Sequence, residues 1–169
     1  MPDEIITLLR EGIALERRGL REYLKFARRT KSETGKNMFI TLASDEVDHA
    51  QILEDQLVHY QENKTWHTVH IETSQFQKIV GRIAELSQKK EAEGVEEKEA
   101  LRLAMDLELR AVEYYKRGLE KASDNSLREM FQKFVTMEEA HYAILNAELD
   151  SIEKNSFWFD IPEFRLEME

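Results

Sequence analysis

The chain of 169 residues contains no cysteine. Disulfides, thiol catalysis, zinc ribbons and cysteine-ligated iron centres are therefore excluded. It has 2 prolines and 6 glycines, too few for the many turns of an all-β domain, so long helices are expected. No apolar run approaches the roughly 18 residues of a membrane-spanning helix. Positive charge is in deficit: 24 Lys and Arg against 34 Asp and Glu leave a net charge of −10. That balance argues against nucleic acid or an anionic membrane surface as partner. The opening residues Met1-Pro2-Asp3-Glu4 lack the basic and apolar regions of a leader peptide, and a cytoplasmic location is expected. What is present is 41% hydrophobic and 34% charged residues. That is enough apolar content for a single folded domain over 1–169.

Four segments carry a helical period. They run at about 3–30 (Ile5, Leu9, Gly12, Leu20, Tyr23, Ala27), 35–62 (Phe39, Leu42, Ala43, Ala50, Leu53, Leu57), 95–122 (Leu101, Ala104, Val112, Tyr115, Leu119) and 126–153 (Phe131, Phe134, Val135, Leu145, Leu149). Short turn signals separate the first pair, at 31–35, and the second pair, at 123–125. The expected fold is all-α, a four-helix bundle of two antiparallel hairpins. Ser126 with Glu129 reads as a capping box opening the fourth helix. A crossover over 63–94 joins the hairpins, with a short helix expected at 74–89 and a charged, solvated loop at 89–97. An aromatic tail follows over 154–169, with Phe157, Trp158, Phe159, Ile161 and Phe164, and reads as bundle or dimer packing.

The most informative feature is an internal repeat. Shifting the chain by 92 residues superposes Leu9 on Leu101, Glu16 on Glu108 and Tyr23 on Tyr115, without a gap. Met38-Phe39 then meets Met130-Phe131, Glu46 meets Glu138, His49 meets His141, and Ile52-Leu53 meets Ile144-Leu145. The hairpin is duplicated. The repeat also carries the chemistry. Glu-x-x-His occurs as Glu46…His49 and as Glu138…His141, each 30 residues after a single Glu, Glu16 or Glu108. Three residues apart on a helix, a Glu and a His share one face. A lone match of this kind is weak; two at one repeat offset are specific.

All six groups fall inside apolar stripes, aimed at the core. Four buried carboxylates would be prohibitively costly without compensation, and their pKa values would rise until they were neutral. Two divalent cations supply +4 against −4, with two imidazoles completing the shells. The ligands of each hairpin lie about 15 residues, roughly 22 Å, from its turn. Two hairpins packed face to face therefore bring all six to one level. Iron and manganese both accept this donor set.

These residues resemble the ferritin-like di-iron carboxylate proteins, and most closely the rubrerythrin-like ones, over residues 3–153. The resemblance implies two Fe ions, with Glu46 and Glu138 as bridges and Glu16 and Glu108 as terminal ligands. It also implies hydrogen bonds from Tyr23 and Tyr115, each seven residues after a ligand Glu, to carboxylates of the site. The implied activity is that of a peroxidase- or oxidase-type oxidoreductase acting on hydrogen peroxide or O2. Implied partners are an external electron-donor protein and a second copy of the chain in a homodimer. Two features depart from rubrerythrins proper. The four-cysteine electron-delivery module is missing, and Ala111 stands where they carry a further ligand Glu. Two other readings remain: a di-iron oxygenase on an organic substrate, and an iron-binding or sensing protein with little turnover. Gly19 and Ala111 are either close-packing residues or leave room for a diatomic ligand. His59, His67 and His70 read as surface or loop residues, and Asp45 and Asp48 as solvated.

Overall fold

The computed structural model describes residues 2–69 and 95–155. These form four long helices: α1 (Pro2–Arg29), α2 (Glu33–Asn63), α3 (Val95–Lys121) and α4 (Asn125–Asn155). No strand occurs among the described residues, and no helix among them is long and apolar enough to cross a membrane. The all-α bundle of two hairpins stands. The short crossover helix expected at 74–89 and the aromatic residues 157–164 lie outside the described residues.

Helix ends are fixed by local hydrogen bonds. Ser32, extended at φ −61° and ψ 131°, caps α2 by accepting the Gly35 N–H. The opening of α4 corrects the capping-box expectation. Asp124, not Ser126, is the cap, its Oδ1 accepting the N–H of Ser126 at 2.9 Å and of Leu127 at 3.2 Å. A carboxylate one residue before the helix reaches two free amides at once and suits the positive end of the helix dipole. The charged stretch 89–97 also differs from expectation at its described end. Residues 95–97 belong to α3, and Glu97 is buried. Its Oε1 accepts the N–H of Lys31 at 2.7 Å and of Ser32 at 3.1 Å, tying the α1–α2 turn to the second hairpin.

Two apolar clusters fill the bundle, one toward each end. One gathers Leu9 and Ile13 of α1, Leu53 and Leu57 of α2, Tyr115 of α3, and Leu127, Phe131 and Phe134 of α4. The other gathers Tyr23 and Phe26 of α1, Met38, Phe39 and Leu42 of α2, Leu101 of α3, and Ile144 and Leu145 of α4. The start of α1 thus meets the end of α2, the end of α3 and the start of α4. Helices α2 and α3 therefore run the same way. The crossover must return along the whole bundle, about 40 Å for helices of this length, which explains why a short turn could not join the hairpins. The large side chains Phe39, Phe131 and Phe134 have no exposed surface; truncating one to Ala costs about 3–5 kcal/mol. Between the two clusters lies a layer of buried polar groups.

Candidate metal centre

Each helix presents its polar residues at mid-length, one or two per helix: Glu16 from α1, Glu46 and His49 from α2, Glu108 from α3, Glu138 and His141 from α4. All six are buried, with at most 4% of any one exposed. The structure brings them together as the repeat requires. Glu46, Glu108, Glu138 and His141 each offer a ligand atom within 4.8 Å of the others, and so do Glu16, His49 and Glu138. Glu138 belongs to both groups. Its Oε1 lies 3.1 Å from His49 Nδ1 and its Oε2 3.3 Å from His141 Nδ1.

The two motifs pair differently: His141 Nδ1 lies nearest its own partner Glu138, and His49 does not lie nearest Glu46. His49 lies 4.0 Å from Glu46, its own motif partner, but 3.4 Å from Glu16 and 3.1 Å from Glu138. Glu16 and His49, from one hairpin, meet the Glu138 carboxylate from the other. Each half of the site is thus built from both halves of the repeat. His141 Nδ1 likewise lies 3.7 Å from Glu108 Oε2.

These atoms suit a cation. Neither oxygen of Glu138 makes a hydrogen bond, and neither does His49 Nδ1, although all three are fully enclosed. Buried polar atoms that converge without hydrogen-bond geometry are costly, and a mixed carboxylate–imidazole set is the donor chemistry of divalent transition metals. The electrostatics say the same. Burial, and then the charge of Glu16, push the Glu46 carboxyl well above its usual range. Burial and the charge of Glu138 do so for Glu108. Burial would raise Glu138 too, but the facing His49 and His141 more than offset it and hold that carboxyl below the usual range. Burial alone would lower His49; the charge of Glu138 beside it lifts it to about 9 instead. Against the same burial, Asp45, Glu108 and Glu138 raise His141. Without a cation, protons must balance the charge; a metal ion would displace them.

Around this layer the two halves differ. Tyr115 of α3, fully buried, donates its hydroxyl to Glu16 Oε1, as expected of it. Tyr23, its repeat mate, is equally buried, but its hydroxyl has no hydrogen-bond partner. The bond expected from Tyr23 to a carboxylate is not made. Asp45 corrects the expectation in the other direction. It is not simply solvated: its Oδ2 lies 3.2 Å from His141 Nε2, fixing that ring so that Nδ1 faces the carboxylates. The repeat position for Asp45 is Met137, so no second copy of the pattern could reveal it. Gly19 and Ala111, also repeat mates, line a cavity of about 50 Å³ with Tyr23, Glu46 and Glu108. A Cβ on Gly19 would stand 3.1 Å from the Glu46 carboxyl carbon, so this glycine lets the carboxylate approach the backbone of α1. His67 sits beyond the end of α2, ring to ring with His59 at 4.6 Å, and belongs to neither donor group. His70 lies outside the described residues.

A family model described as Rubrerythrin matches residues 7–149. The chain belongs to the rubrerythrin family. No curated protein and no solved structure matches it significantly. Membership brings a ferritin-like di-iron domain, and iron is the metal it implies for the buried carboxylate and histidine groups. In this rubrerythrin-family chain, the departure noted at Ala111 falls on the wall of the cavity, one turn after Glu108.

Proposed function

We propose that this rubrerythrin-family protein is a non-haem di-iron oxidoreductase that reduces hydrogen peroxide or O2 with electrons from an external donor. Glu16, His49 and Glu138 would hold one iron, and Glu46, Glu108, His141 and Glu138 the other. The observation that carries this reading is the sharing of Glu138: one carboxylate, bare of hydrogen bonds, set between two donor groups. When bound, a metal pair of this kind supplies two electrons to an oxidant held beside it. The protein's part is to orient and to exclude. Tyr115 fixes Glu16, Asp45 fixes His141, and the two apolar clusters keep bulk water out on either side. Manganese remains an acceptable occupant on donor chemistry alone.

The cavity beside Glu46 and Glu108 favours a small oxidant over an organic substrate. Its volume of about 50 Å³ admits a diatomic molecule or a few waters, whereas organic ligands occupy roughly 300–1,000 Å³. With Ala111 leaving that side open, both peroxide and O2 are expected to react. Anaerobic reconstitution with ferrous iron, elemental analysis, and stopped-flow mixing with each oxidant test the proposal. The expected result is two irons per chain and oxidation by both. A plateau at zero or one iron in folded protein, or no reaction with either oxidant, would overturn it.

A further inference from the structure

A groove of about 580 Å³ runs between α1 and α3 on the outside of the bundle. Its rim carries Arg18, Lys25, Arg28, Arg29 and Arg110, against Glu22 and Asp106. On a chain of net charge −10 this is a local reversal of sign. Both acids are already engaged on their own helices, Glu22 with Lys25 at 2.8 Å and Asp106 with Arg110 at 2.7 Å. Arg18, Arg28 and Arg29 make no ion pair among the described residues. The floor is apolar, with Phe26, Leu107 and Leu103, the last 46% exposed. An apolar centre inside an arginine-rich rim is the anatomy of a protein-docking surface.

The groove abuts the metal centre. Arg18, Leu107 and Arg110 line both the groove and the inner cavity, whose other walls include Glu16, Glu46 and Glu108. One layer of side chains separates a docked molecule from the candidate ligands. The inner cavity, at about 50 Å³, is too small to pass a protein segment or an organic substrate, so a docked protein contributes electrons rather than atoms.

We infer that this groove is the docking face for an acidic one-electron carrier protein, the external donor that the proposed function requires; the inference rests on that function. Each encounter would oxidise the carrier by one electron and pass that electron to iron held by the six residues; two encounters, with two protons, would supply what converts one peroxide to two waters. Charge decides among occupants. A second copy of the chain in a symmetric dimer would set this basic face against itself. The basic rim from Arg18 to Arg29 extends over about 16 Å of α1, longer than one small anion could span. A field of that extent steers an acidic protein and gives a salt-dependent encounter.

The test is calorimetric titration of the iron-loaded chain with a plant-type 2Fe–2S ferredoxin, an acidic one-electron carrier, at low and at physiological salt. Affinity should fall at least about tenfold with the added salt. The double variant Arg28→Glu/Arg29→Glu, with helicity and iron content as folding controls, should lose at least about tenfold at low salt. Lys64→Glu, a charge reversal just past the end of α2 at the opposite end of the bundle, should bind as the parent does. Absence of salt-sensitive binding, or equal loss in Lys64→Glu, would overturn the surface. So would a single-stranded oligonucleotide that binds the groove more tightly than the ferredoxin. Because docking is read without turnover, the two ideas fail separately. A chain that oxidises with peroxide but does not dock the ferredoxin loses this surface alone. A chain that docks it yet holds no iron loses the redox reading, and the electron-transfer role with it.

Discussion

The two hairpins bring the same three candidate ligands, two Glu and one His, to the same level, yet they do not do the same work. Glu138 of the second hairpin serves both donor groups, whereas its mate Glu46 serves one. Tyr115 of the second hairpin reaches across to Glu16 of the first, whereas Tyr23 of the first reaches nothing. Asp45 of the first holds His141 of the second, and its mate is Met137. Both of these contacts cross from one hairpin to the other, and among the described residues neither is matched by its repeat mate. The repeat accounts for the candidate ligand set; the positions beside it differ between the copies, which bond Glu16 and His141 but leave a cavity and an unpaired Tyr23 hydroxyl next to Glu46.

Removing the shared group should break the comparison most severely. Glu138→Ala is expected to lose both irons, because each donor group loses a member and the two imidazoles lose the anion between them. Glu46→Ala should still bind one. Elemental analysis of the reconstituted variants distinguishes them, and equal iron content in the two would contradict the asymmetry.

Acidity should act on both halves at once. In the metal-free protein His49 is lifted to about 9, and His141, Glu46 and Glu108 are also raised. The folded chain then holds more protons than the unfolded chain between about pH 6.5 and 9, and stability falls as pH rises, by about 1.4 kcal/mol per unit for each extra proton held. The lowered Glu138 acts only in the acid range, where its stabilisation is lost as pH falls. Iron-loaded protein should not share the loss, since metal affinity increases as protons leave the ligands. Thermal melts of both forms at pH 6.5 and 8.5 check this; a metal-free protein that melts higher at pH 8.5 would contradict it.

The tyrosines should separate cleanly. Tyr115→Phe removes the donor from a buried carboxylate and is expected to cost about 1.5–3 kcal/mol. Tyr23→Phe removes a hydroxyl that bonds to nothing and should be neutral or slightly stabilising. Urea melts of the two variants decide; equal losses would mean that Tyr23 has a partner after all.

A smaller and one-sided effect is expected from Asp45→Asn. Weakening the hydrogen bond behind His141 should lower affinity for the iron of that group by about 10–100-fold, leaving the other unchanged. Two resolved phases in a chelator titration would show it, and a single unshifted phase would argue against it.

The duplication explains what could be read from the sequence. Two helices and three convergent polar groups each appear twice at one offset, and a pattern that occurs twice is hard to mistake for chance. What escaped appears once. Asp45 sits on the margin of its helix, its side chain 23% exposed, with nothing in periodicity to set it apart from Asp48. Glu97 lies in a run of charges, and only the packing of α3 against the α1–α2 turn turns it inward. At α4, Asp124 and Ser126 are both good caps by composition, and the choice depends on where the chain leaves the preceding turn. Tyr23 erred the other way: the repeat promised a symmetry that the neighbouring side chains did not keep.

The polar layer between the two apolar clusters has a mechanical consequence. Apolar side chains on long helices tolerate sliding by one turn, about 5.4 Å, because Leu on Leu resembles Leu on Phe. Six charged or imidazole groups do not. Slid by a turn, Glu138 would face Leu or Phe and leave its charge unmatched in the interior. The layer thus works as an axial pin. It permits one vertical alignment of the hairpins out of several that the greasy contacts alone would allow.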